Sequence, residues 1–161
     1  MASGREHNLA STVVSVPLGL GIGMILYGQG APLGVATHAG MSASAGCLAG
    51  ILLTPDLDIL TMTKSEWLVV RWLPVIGWLW LAIWDLYARL LPHRNALSHL
   101  PILGTTGRLL YLGGFAYGLW LLMRQPALPV LPPSEVLIYG LIGLLVSDGF
   151  HWLMDGCPLH W

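Results

Sequence analysis

The sequence predicts an all-α fold: a polytopic membrane helix bundle with four transmembrane helices and a tryptophan-rich interfacial segment, in one domain over residues 1–161. Three observations carry that expectation. The chain is 55% hydrophobic and 9% charged, where soluble domains carry about 25% charged residues. Its mean hydropathy is +0.71. Four apolar runs are each long enough to cross a hydrocarbon core, which takes about 17–25 residues. The remaining charge is gathered in polar islands at the ends of those runs.

The first run spans 9–27 and contains Pro17, Gly19, Gly21 and Gly23, small residues that permit close helix contact. Gly28-Gln29-Gly30-Ala31-Pro32 reads as a tight turn. The second run, 33–54, is rich in Gly, Ala and Ser, and Pro55 is expected to end it just before Asp56 and Asp58. Its His38 lies at the turn end and reads as an interface or packing histidine. The segment 67–91 is broken by Pro74 and Gly77. Its uninterrupted apolar stretch, Trp72 to Trp84, covers about 13 residues and is short for a span. It therefore reads as a segment lying in the interface, where tryptophan is favoured; a fifth span is the alternative. The third run covers 102–123, and a proline-rich loop follows it. Ser134 is a candidate N-cap for the last run, 136–154.

Four crossings bring the polar islands together. With four spans, Arg5-Glu6-His7-Asn8, Asp56-Leu57-Asp58, the His93-to-His99 stretch and Asp148-x-x-His151-x-x-x-Asp155 all fall on one membrane face. Arg5, Lys64, Arg71, Arg89, Arg94 and Arg108 share that side, and Arg124 falls opposite. By the positive-inside rule that face is cytoplasmic or its equivalent. The expected location is a bacterial inner membrane or a cyanobacterial thylakoid.

The islands have the composition of a metal site. Asp148, His151 and Asp155 are spaced by three and four, so they share one stripe of a helix. Such residues in an apolar span are costly and normally face a bundle interior. His93 and His99 converge only if the chain turns between them, and Pro92 and Pro101 permit that. The candidate metal ligands are His7, Asp56, Asp58, His93, His99, His151 and Asp155. Mixed imidazole and carboxylate ligation suits Zn, Mn or Fe. So many donors imply either two ions, or one ion with outer residues orienting its ligands. A two-ion site suits phosphoester hydrolysis. Arg94 would hold a phosphate oxygen, and Asp148 or Asp56 would act as a base. The bland alternatives are solvated loop aspartates and interfacial cations facing lipid phosphates.

The net charge of −1, with no basic run, excludes a nucleic-acid partner. Cys47 and Cys157 have no framework spacing and read as a buried small residue and a free thiol. The first run is too long for a signal-peptide core, so it is expected to be retained.

The pieces SGREH, LTPDLD, RW with its tryptophan-rich continuation, PHRNALSHLPILGTTGRLLYL and the late D-x-x-H-x-x-x-D carry a resemblance across nearly the whole chain. The sequence resembles uncharacterised metal-binding membrane proteins common in cyanobacteria. More distantly it is similar to inner-membrane-associated metal-dependent hydrolases. The resemblance implies ligand roles for His7, Asp56, Asp58, His93, His99, His151 and Asp155, with His7 in the least matched motif.

Two functions are expected. One is a metal-dependent hydrolase acting on a membrane lipid or lipid-like phosphoester. The other is a non-enzymatic subunit of a larger membrane complex, holding a structural metal or a haem or chlorophyll-type pigment. Ion transport ranks last, since Asp148 is nearly alone as an acid inside a span.

Overall fold

The structure is a computed structural model and describes residues 3–91, 96–123 and 132–157. Among these residues it is all-helical, with seven α-helices, one short 3-10 turn and no strand.

Helix α1 (Gly4–Gly28) starts several residues before the apolar run, because Glu6 accepts a hydrogen bond from the Ser3 backbone N–H and caps the first turn. His7 is thereby carried on a helix rather than in a polar tail. Helix α2 (Leu33–Ala49) is shorter than the expected 33–54. Gly50 ends it against Ser147, where a Cβ would collide with the serine side chain, and the chain turns over the neighbouring helix. Thr54 then caps a 3-10 turn, Pro55–Asp58, by accepting from the Asp56 N–H.

The tryptophan-rich segment is two helices rather than one. A Thr63/Glu66 capping box opens α3 (Lys64–Trp72). Pro74 at the first position of α4 (Pro74–Leu90) drives Leu73 out of helical geometry, to φ −134° and ψ 70°. One face of α4 buries Ile83, Trp84, Tyr87 and Ala88. Leu57, Trp84 and Tyr87 form a small apolar core with Trp80 and Tyr111 packed against it.

The chain continues through α5 (Ala96–His99), α6 (Pro101–Leu122) and α7 (Ser134–Met154). Ser134 is the first residue of α7, and the extended residue before it is Pro133. The serine side chain makes no cap, contrary to expectation.

Helix α2 lies between α1 and α7 and packs against both. Small residues set that closeness. A Cβ on Gly143 would run into the Ala43 carbonyl, and one on Gly46 into the Gly140 carbonyl.

Helix α1 is apolar outside and polar inside. Helix α1 buries His7, Ser11, Ser15 and Gly19, a stripe at four-residue spacing, and exposes Leu9, Val13, Val16, Leu20 and Met24. Ser11 and Ser147 meet in the interior, Oγ to Oγ at 2.8 Å. Water would disfavour that arrangement by about 25 cal/mol per Å² of apolar surface left exposed; lipid would not.

Two helices, α1 and α7, are long and apolar enough to cross a membrane. These two are the candidate spans among the described residues, so the expected four-span bundle is not confirmed. Helix α2 has 17 residues, and α6 has the length but is diluted by Arg108, Thr105, Thr106 and several glycines.

Candidate metal centre at one end of the bundle

The ends of four helices meet at the centre. His7 comes from the start of α1, and Asp56 from the turn after α2. His99 ends α5, immediately before α6, while His151 and Asp155 close α7. The expected gathering of distant islands at one end is therefore found for these five residues.

Asp56, His99, His151 and Asp155 each offer a ligand atom, and the four atoms lie within 4.8 Å of one another. His151 Nε2 is 3.4 Å from Asp56 Oδ1 and 3.4 Å from Asp155 Oδ2. Ligand edges of that length suit a tetrahedral ion with bonds of about 2.0–2.1 Å, whose edges are about 3.3–3.4 Å. His151 Nε2 is buried and makes no hydrogen bond among the described residues, so its lone pair is available to an ion. Two imidazoles and two carboxylates form a donor set suited to Zn, Mn or Fe. The residues thus fit a divalent metal.

Other residues hold these donors. Thr54 Oγ1 lies 3.4 Å from His151 Nδ1. Asp58 Oδ2 lies 3.5 Å from His99 Nδ1, and Ser98 Oγ lies 3.0 Å from the same nitrogen. Asp58 was expected among the ligands. Among the described residues it is not one of the four clustered donors; it lies against His99 Nδ1, where an outer carboxylate would orient that histidine toward an ion. His7 approaches from the other side: its Nε2 is 3.1 Å from Asp155 Oδ1, and its ring stacks on His151 at 3.7 Å.

Asp56 is the least enclosed donor, with its side chain 24% exposed. Burial pushes its carboxyl pKa up. The close approach and charge of His151, with the charges of His99 and His7, outweigh that and hold it below its ordinary value.

Asp148 stands apart from the cluster although it shares the stripe of α7. Arg108 Nη2 and Thr105 Oγ1 both donate to its Oδ2, and all three residues are fully buried. Arg108 Nη1 also donates to the Ser98 carbonyl at 2.9 Å. Arg108, expected on the same side as the islands, is a buried cation linking α5, α6 and α7. Arg108, Thr105, Ser98 and Thr54 were not foreseen as site residues. The available signal was an arginine inside an apolar run, which implies a buried partner.

His93 and Arg94 lie outside the described residues. His38 is exposed on α2 away from the cluster, as the interface reading expects, and Cys47 is buried while Cys157 is exposed, both as free thiols.

The whole chain, residues 2–161, matches the family described as "Uncharacterized metal-binding protein (DUF2227)". The chain belongs to this family. DUF2227 is thus metal-binding by description, and the His/Asp cluster gives this member a place to hold the ion. No curated protein and no solved structure matches the chain.

Proposed function

We propose that this DUF2227 protein is an integral membrane enzyme with a divalent metal centre at its cytoplasmic face, hydrolysing a phosphoester at the lipid boundary. The observation that carries the reading is the four-donor cluster at the end of an apolar-outside bundle, with Asp56 partly open to the exterior. Arg5, beside His7, and Lys64 and Arg71, which follow Asp58 in the sequence, are the cations on which we base the cytoplasmic assignment. A bacterial inner membrane or thylakoid suits that arrangement.

A bound divalent ion would supply Lewis-acid activation of water and of the scissile phosphoryl group. The chain's own residues do the positioning. Asp58 and Ser98 fix the His99 ring, and Thr54 braces His151. The apolar outer faces of α1 and α7 let an acyl chain lie beside the site while a headgroup reaches it. Arg94, five residues before His99, would hold a phosphate oxygen. Of the carboxylates considered as a base, Asp148 is engaged by Arg108 and Thr105, so we assign it a positioning role.

The test is hydrolysis by purified protein in detergent or nanodiscs, supplied with Zn, Mn or Fe and a panel of phospholipids and aryl phosphoesters. Turnover that Asp56→Ala and His151→Ala abolish supports the proposal. Stoichiometric metal without turnover of any substrate rejects it. That second outcome favours a structural metal, which four protein donors around one ion also suit.

A further inference from the structure

His7 and Asp155 face a second position beside the four-donor cluster. Asp155 turns its two oxygens in two directions: Oδ2 lies 3.4 Å from His151 Nε2, and Oδ1 lies 3.1 Å from His7 Nε2. The first separation has the length of an edge of a coordination sphere; the second is a hydrogen bond in the metal-free chain, of a length that the sphere of a second ion would also accept. Octahedral bonds of about 2.1 Å give edges of about 3.0 Å, and tetrahedral ones about 3.4 Å.

The two imidazoles run parallel. Their centroids are 3.7 Å apart and their planes differ by 11°. A metal lies in the plane of the imidazole that binds it. Two parallel rings stacked in this way, each with its Nε2 beside one oxygen of the same carboxylate, put two ion positions in neighbouring planes on either side of Asp155. Paired hydrolytic metals sit about 3.5–4 Å apart.

We propose that the centre is dinuclear: Asp155 bridges two divalent ions, the first also held by Asp56, His99 and His151, the second by His7. The second ion has fewer protein donors and so keeps positions open for solvent or for phosphate oxygens. This rests on the metal-centre reading above and adds the number of ions and a ligand role for His7.

The experiment measures bound Mn²⁺ per full-length chain in detergent by elemental analysis after equilibration and desalting, together with the electron paramagnetic resonance spectrum. Wild type should hold two equivalents with an exchange-coupled spectrum. His7→Gln should hold one equivalent and show the uncoupled six-line signal. Zero equivalents in the wild type would remove the metal reading itself. One equivalent in the wild type would leave that reading standing and overturn the second site. Two equivalents in both proteins would overturn the assignment of His7. Should His7→Gln fail to fold, the wild-type spectrum decides: two equivalents without coupling place the ions too far apart for a shared Asp155.

Discussion

Replacing Asp148 with Asn removes one charge from a pair that water does not reach. The side chains of Arg108 and Asp148 are 2% and 1% exposed, so solvent screening offers no relief. Asn keeps the shape and leaves the guanidinium buried without a counter-charge. Arg108 Nε already makes no hydrogen bond among the described residues, so the guanidinium is held chiefly by Asp148 Oδ2 and the Ser98 carbonyl. Breaking a buried pair from one side costs about 3–5 kcal/mol, out of a total stability of about 5–15 kcal/mol. For a chain of this size that is a fall in Tm of about 6–20 °C.

The double variant Arg108→Met/Asp148→Leu removes both charges, and such replacements are often neutral or stabilising. Its Tm should return close to wild type. Its metal affinity should not, because Arg108 also holds the Ser98 carbonyl next to His99. Loss of an outer residue of this kind weakens metal binding by about 10–100-fold. Circular-dichroism melting in detergent, paired with a chelator-competition titration, reads both quantities. Asp148→Asn melting within about 1 kcal/mol of wild type would refute the reasoning, because exposed pairs are worth no more than that.

Three further outcomes are expected. Chelation should lower Tm, and restoring the ion at about 100 times its Kd should return about 2.7 kcal/mol; His151→Ala should melt at the same temperature with and without metal. In the metal-free protein the Asp56 carboxyl is held below its ordinary value of 3.8. The stability this contributes is present above the ordinary value and is lost as pH falls through the lowered one. The Tm difference between wild type and Asp56→Asn should therefore shrink below about pH 4, a region set by the reference carboxylate pKa; a difference that widens there would contradict the sign. Gly143→Val should force α7 away from the Ala43 carbonyl, at a cost of about 1–3 kcal/mol or more for overpacking, read by melting, whereas Gly149→Ala, which meets nothing nearby, should be close to silent.

The helical class and the approximate limits of α1, α6 and α7 were legible as uninterrupted apolar runs, because segment length and composition are local properties. The early end of α2 was not. At Gly50 the chain comes so close to Ser147 on α7 that a Cβ would collide, and the regular helix ends there rather than at Pro55. Pro74 was visible as an interruption, but its effect, two helices rather than one interfacial segment, depended on how α4 packs on Leu57 and Tyr111.

The sequence by itself determined the chemistry. In a chain with so few charges, imidazoles and carboxylates had to be collected somewhere, and Asp56, His99, His151 and Asp155 meet at the end where His7 begins. Tertiary structure alone decided their ranks. Asp58 and Asp56 are two residues apart and chemically identical, yet one braces His99 and the other joins the cluster. Asp148 and Asp155 share a helical stripe, yet Arg108 takes the first and leaves the second to the histidines. Composition and spacing state which groups can bind an ion. Which lone pairs lie an ion's width apart is a matter of distance between helices, and that is fixed by glycines and serines packing across the bundle.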